Sequence, residues 1–288
     1  MRLVRDNWNV WGFVLWGLFV LSACAIPNVS STPTAHPIVL PTPTLDATGD
    51  ARAIERQELN GYFITRWEVG ETGFVTIAWA GETLVTIDVA TNFHPLSGED
   101  INGDGAPDTI IETYTGGANC CYATVAYSLV DFTPEIILKS PVSSCPGTFT
   151  TLDEDASLEY LRCDSRFAYA YCPLDALPVL QVVDTLIDGM YQPANTRFPS
   201  IHADRVPEHT RRAAQSLTAP GSFGEWDGTN KCGVLPLLLD YIYMGETTAA
   251  WNALHQYYKF DDRVAFWADI FTILNEPQPD YLPYPIYP

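Results

Sequence analysis

Residues 99–122 read Glu-Asp-Ile-Asn-Gly-Asp-Gly-Ala-Pro-Asp-Thr-Ile-Ile-Glu-Thr-Tyr-Thr-Gly-Gly-Ala-Asn-Cys-Cys-Tyr. Counted from Asp100, oxygen-bearing side chains fall at positions 1, 3, 5 and 9: Asp100, Asn102, Asp104 and Asp108. Position 6 is Gly105, and position 7, Ala106, offers its backbone carbonyl. Calcium takes six to eight oxygens in a flexible shell, and a turn with ligands at alternate residues wraps it. Gly103 and Gly105 permit the backbone angles such a wrap requires. Three carboxylates this close repel one another unless a cation lies between them. The competing reading is a metal-free Asp/Asn/Gly turn.

The loop is not a helix-loop-helix calcium site. Position 12 is Ile111, Glu112 comes one residue late, and Pro107 with the β-branched run Thr109-Ile110-Ile111 predicts an exit into a strand. Asp100, Asn102, Asp104 and Asp108 resemble the Asp-x-Asn-x-Asp-Gly-x-x-Asp loop of FG-GAP and VCBS-type repeats, which implies a metal pinning a turn between two strands. Lacking a glutamate at position 12, the loop is expected to bind in the ~10⁻⁴ to 10⁻³ M range of extracellular modules and to serve structure.

Working outward, Tyr62–Trp67, Phe74–Trp79, Thr83–Asp88, Thr109–Thr115, Tyr122–Val130 and Glu135–Lys139 are β-rich runs punctuated by glycines. Gly116-Gly117 and Asp188-Gly189 are placed to turn hairpins, the second between Pro178–Leu186 and Met190–Gln192. Segments 147–152 and 157–162 flank the turn Asp153-Glu154-Asp155-Ala156. These features predict an antiparallel sheet or sandwich. No internal repeat is legible, which argues against a full propeller. The aromatics Trp67, Trp79, Tyr114, Tyr122, Tyr127, Phe167, Tyr169 and Tyr171 read as core and cross-strand packing ahead of a sugar- or ligand-binding platform.

Past residue 200 the period changes. Residues 202–218 form a modest amphipathic pattern, 232–244 are apolar nearly all round, 247–258 present Ala250, Trp251, Leu254 and Tyr258, and 262–274 present Val264, Phe266, Trp267, Ile270, Phe271 and Leu274. Pro236 is expected in the first turn of its helix, where proline is tolerated. The fold class expected is therefore α+β: an antiparallel β domain with a calcium-loop hairpin over 51–200, a helical segment packed on it over 201–276, and a Pro/Tyr-rich tail over 277–288.

Residues 1–23 combine Arg2 and Arg5, an apolar run and the ending Leu21-Ser22-Ala23 before Cys24. That is a secretory signal. Its last four residues resemble a bacterial lipobox, which implies cleavage before Cys24 and lipidation of its sulfur; the alternative is an uncleaved membrane anchor. Residues 24–50 are a Pro/Thr-rich tether. The expected location is the cell envelope, extracytoplasmic, with the membrane reached through the lipid. Net charge is −20, which argues against nucleic acid as a partner because phosphate needs clustered Lys and Arg.

Six cysteines remain besides Cys24: Cys120, Cys121, Cys145, Cys163, Cys172 and Cys232. In an exported chain they read as disulfides. Folding the 147–162 hairpin brings Cys145 opposite Cys163. Cys120 and Cys121 either close on each other or point to opposite faces and reach Cys172 and Cys232. A catalytic thiol at Cys120-Cys121 is the weaker alternative.

His94, His202, His209 and His255 lack zinc spacing, and the pairs Asp153/Asp155 and Asp261/Asp262 read as solvated caps. No nucleophile elbow, P-loop or dinucleotide fingerprint occurs. The calcium loop, the Gly-Gly-Ala-Asn-Cys-Cys turn and the late Tyr241–Trp251 run are similar to a group of exported bacterial proteins without an assigned activity. The function expected is a calcium-stabilised binding or scaffolding module for extracellular ligands. The alternative is a secreted hydrolase without a local motif.

Overall fold

The computed structural model describes residues 51–114, 116, 121–171, 178–217 and 229–276. The signal segment, Cys24, the tether, Cys120, Cys172 and the C-terminal tail lie outside them.

Among the described residues, twelve strands form three four-stranded antiparallel sheets, each a meander in chain order. The first holds β1 (Arg52–Leu59), β2 (Tyr62–Val69), β3 (Thr72–Trp79) and β4 (Glu82–Asp88). The second holds β5 (Ala90–Phe93), β6 (Asp108–Tyr114), β7 (Tyr122–Ser128) and β8 (Glu135–Lys139). The third holds β9 (Thr148–Thr150), β10 (Glu159–Cys163), β11 (Gln181–Ile187) and β12 (Met190–Pro193). Although no repeat is legible in the sequence, the same four-stranded antiparallel unit occurs three times in the backbone of the described residues. Turn chemistry explains the tight connections. Asp188 and Gly189 both take left-handed angles, φ 52° and 81°, the geometry a two-residue hairpin needs. Asn60 and Gly61 do the same between β1 and β2, and a Cβ on Gly61 would lie 2.4 Å from the Trp79 ring.

Alternation along β6 explains the layering. Successive strand side chains point to opposite faces, so Ile111 enters a core with Tyr62, Ile64, Val75 and Ile77 of the first sheet. Its neighbour Ile110 enters a second core with Phe149, Tyr160 and Tyr191 of the third. Val125 and Ala126 of β7 divide in the same way. The second sheet is therefore covered on both faces, and its strands read as apolar runs for that reason.

A third core joins the helices to the sheets. The helices are α1 (Pro199–Ala203), α2 (Val206–Ser216), α3 (Thr229–Tyr243), α4 (Thr247–Tyr257) and α5 (Arg263–Asn275). Leu235, Leu238, Leu239, Leu254, Phe266 and Ile270 pack with Phe167, Leu180 and Val182. Two details differ from expectation. Val264 is 67% exposed rather than on the apolar face. Pro236 stands in the interior of α3, because the helix begins at Thr229; its ring removes one backbone donor there.

Cys145 and Cys163 are joined by a disulfide, with Cα atoms 5.8 Å apart. Cys121 and Cys232 are each engaged in a disulfide too, but not shown joined to one another. Of the aromatics, Tyr127, Phe167 and Tyr171 are buried, Trp67 stacks on Phe74, and Tyr114 packs on Tyr122; Tyr169 is half exposed.

Candidate metal centre

The loop between β5 and β6 is closed at its base by backbone bonds, Gly98 to Asp108 at 2.7 Å and Asp108 to Glu99 at 2.9 Å. Within it Asp100, Asn102 and Asp104 bond to the loop's own amides, and Asp100, Asp104 and Asp108 are not gathered into a carboxylate set of the kind found at Asp153, Asp155 and Glu159. Asp100 accepts hydrogen bonds from the amides of Gly103 (2.7 Å), Asp104 (3.2 Å) and Gly105 (2.8 Å). Asn102 Oδ1 accepts from the Asp104 amide, and its Nδ2 donates to Asp104 Oδ2 at 2.8 Å. Asp104 Oδ1 accepts from the Ala106 amide, and Oδ2 from the Ser128 hydroxyl at 2.7 Å. Burial opposes ionisation of Asp104, yet the Ser128, Ala106 and Asn102 donors hold its carboxyl below the usual range.

Asp108 is different. As the first residue of β6 it is carried wholly into the protein, with no exposed surface. Its Oδ2 accepts from the Ile101 amide at 2.8 Å, but its Oδ1 is buried without a hydrogen-bond partner. Burial, with the Asp104 and Asp100 charges, outweighs the Ile101 and Asn102 amides and pushes this carboxyl up to about 7. A buried anionic oxygen without a donor is costly. It fits a group that supplies positive charge, and an all-oxygen donor set fits a hard cation. Ala106 is buried at its expected place in the loop.

A second acidic group lies beside the first. Asp153, Asp155 and Glu159 bring one carboxylate oxygen each to within 4.8 Å of one another, a set that could hold a metal ion. Asp153 and Asp155 also cap the turn, accepting from the Asp155 and Ser157 amides. Glu159, the first residue of β10, is fully buried; Oε2 accepts from the Leu152 amide at 2.6 Å, and Oε1 has no hydrogen-bond partner. Burial raises its carboxyl, and Asp153 and Asp155 add to the rise. The loops abut directly. The Leu158 amide and the Tyr191 hydroxyl each donate to the Ile101 carbonyl at 2.8 Å. A Cβ on Gly103 would stand 2.8 Å from that of Ala156, and Gly103 has φ 78°, so glycine is needed there on both counts. Sequence reasoning missed this group because Glu159 enters it only once the hairpin turns it inward.

The other polar clusters described are mostly buried. Arg162 pairs with Asp184 at 2.6 Å. Asp164 is held by Arg166 and by the Tyr243 hydroxyl. His209 Nδ1 meets Asp240 at 2.5 Å, and His202 is buried with Nε2 unpartnered. Asp262, instead of being a solvated cap, takes Lys231 at 2.8 Å and the Tyr258 hydroxyl at 2.8 Å.

No family model, curated protein or solved structure matches this chain.

Proposed function

We propose that this is an exported, lipid-anchored envelope protein. Its β body is fastened by calcium in the Asp100–Asp108 loop, and its remaining surface serves as a binding or scaffolding module. The observation that carries the metal is the buried, unpartnered Oδ1 of Asp108, inside a loop whose other oxygens come from Asp100, Asn102 and Asp104. Calcium is favoured over smaller divalent ions because the donors are all oxygen and sit on a flexible turn. The resemblance to FG-GAP and VCBS-type loops points the same way. The role is structural: the loop lies at the seam where Ile101 and Ile110 meet Phe149 and Tyr191, so a cation there ties the second and third sheets together.

Two depressions among the described residues support recognition across a surface. One, of about 170 Å³, lies by Ile87, Tyr127 and Ile136. The other, of about 280 Å³, lies by Lys139, Arg166 and Glu276. Both fall below the ~300–1,000 Å³ usual for enclosed small-molecule sites. The anchor would be the lipid on Cys24, with the tether holding the body off the membrane.

Thermal unfolding of the mature chain tests the metal. Calcium at millimolar concentration should raise the melting temperature above its value in EDTA, and magnesium should raise it less; equal melting in all three would remove the calcium. Labelling with a radioactive fatty acid should be lost in Cys24→Ser, and persistent label would refute the anchor. Co-sedimentation with isolated envelope material in calcium, weakened in EDTA, is expected of the binding role. Recovery wholly in the supernatant under both conditions would count against it.

A further inference from the structure

The two acidic loops occupy the same position in successive sheets: each joins the first and second strands of its meander. Glu99 and Asp108 pair across the base of the first, Thr150 and Glu159 across the base of the second. Aligned from these bases, Ile101 falls on Leu152, Asn102 on Asp153, Asp104 on Asp155, Ala106 on Ser157 and Asp108 on Glu159. The internal bonding then repeats. The Ile101 amide donates to Asp108 as the Leu152 amide donates to Glu159. The Asp104 amide donates to Asn102 as that of Asp155 donates to Asp153, each at 3.0 Å. The Ala106 amide donates to Asp104 as that of Ser157 donates to Asp155. Of these aligned residues only the aspartate pair Asp104/Asp155 is identical, so the repeat is one of geometry.

We propose that Asp153, Asp155 and Glu159 hold a second divalent cation of the calcium class. Glu159 is fully buried, its Oε1 has no hydrogen-bond partner, and one of its carboxylate oxygens lies within 4.8 Å of those of Asp153 and Asp155, which separates this set from an ordinary acidic turn. An unpaired carboxylate anion at that depth is costly unless positive charge lies beside it. Arg197 supplies part of it from outside, with Nη2 at 2.9 Å from Asp153 Oδ2 and 3.6 Å from Asp155 Oδ2. Those contacts are half exposed and contribute little. Three side-chain ligands leave the rest of the calcium shell to water, and Thr151 stands where the first loop has Asp100. The second site is therefore the weaker of the two. The Leu158–Ile101 bond makes the two sites neighbours across the seam, so filling one stiffens the backbone of the other.

Equilibrium dialysis of the full mature chain against radioactive calcium at millimolar concentration tests this separately from the first site. Two ions per chain are expected for the unaltered protein. One is expected for Glu159→Gln, one for Asp108→Asn and none for the two combined. Asp155→Asn, at a half-exposed position that leaves the core untouched, should also bind one, and its near-ultraviolet dichroism should match that of the unaltered chain. Two ions in both Asp155→Asn and Glu159→Gln, or one ion in the unaltered protein that disappears in Asp108→Asn, would overturn the second site. One ion in the unaltered protein that survives Asp108→Asn and disappears in Glu159→Gln would uphold it and remove the first.

Discussion

Replacing Asp108 with asparagine separates the two things that residue does, and the outcomes have opposite signs. Without metal, the folded protein buries a carboxylate whose Oδ1 faces no donor. Its pKa stands at about 7 against an ordinary 3.8. The folded value is the higher one, so the unfolded chain loses this proton first. Rising pH drains stability between about pH 4 and 7, and the cost is fully in place above that window. At about 1.36 kcal/mol per pH unit, the cost near pH 8 is about 4 kcal/mol. Any water reaching the carboxylate lowers it. Asparagine keeps an acceptor for the Ile101 amide and carries no charge. In EDTA near pH 8, Asp108→Asn should therefore be more stable than the unaltered chain by up to about 4 kcal/mol. For a body of this size that is a rise of roughly 8–15 °C in melting temperature. The gain should vanish below about pH 4. Calcium should then narrow the gap, because only the unaltered loop binds it well; a hundredfold excess over the dissociation constant contributes about 2.7 kcal/mol. Differential scanning calorimetry at two pH values, with and without calcium, reads all four corners. An asparagine variant less stable than the parent in EDTA, or a gap indifferent to calcium, would refute the reasoning.

Three further outcomes follow from the buried polar groups and the crosslink. Asp184→Ala removes the carboxylate that pairs with the Arg162 guanidinium, 4% exposed; chemical denaturation should show a loss of about 3–5 kcal/mol, and a loss below about 1 kcal/mol would refute the weight given to that pair. His202 is buried with Arg205 nearby, and burial first and that charge second lower its pKa to about 4. Because the folded value is the lower one, its contribution is complete above about pH 6.5 and is lost as pH falls toward 4, by about 3 kcal/mol. His202→Asn should remove that leg of the acid-unfolding curve, and an unchanged curve would place the acid sensitivity elsewhere. Replacing both Cys145 and Cys163 with alanine opens a crosslink of separation 18 around the Asp153–Glu159 loop; about 3 kcal/mol should be lost, read as a lower denaturation midpoint.

Much of the architecture was legible because burial and period coincide. The strands from Tyr62 to Asp88 and from Asp108 to Lys139 alternate or run apolar as their layers demand. The helices past residue 200 carry faces that match the third core. β1 escaped notice because Arg-Ala-Ile-Glu-Arg-Gln-Glu-Leu lies at a sheet edge, mostly exposed, where nothing imposes an apolar pattern. β5 escaped because four residues are too few to show a period. The Cys145–Cys163 bond could be argued because a short hairpin fixes where its ends meet. The Asp153 loop could not. Ala156 and Ser157 stand where the first loop has Gly105 and Ala106, so the glycine signal is missing. Glu159, lying in a strand, looked like any other strand glutamate. Its convergence with Asp153 and Asp155 is a consequence of the folded turn, and so is the backbone repeat that relates the two loops.

The most direct measurement is an anomalous difference map from crystals of the mature chain grown in calcium and soaked in a lanthanide. A peak is expected inside the Asp100–Asp108 turn, about 2.3–2.6 Å from Asp108 Oδ1, with side-chain oxygens of Asp100, Asn102 or Asp104 around it. A map with no peak there, and with that oxygen satisfied by an ordered water or a neighbouring hydroxyl, would contradict that expectation.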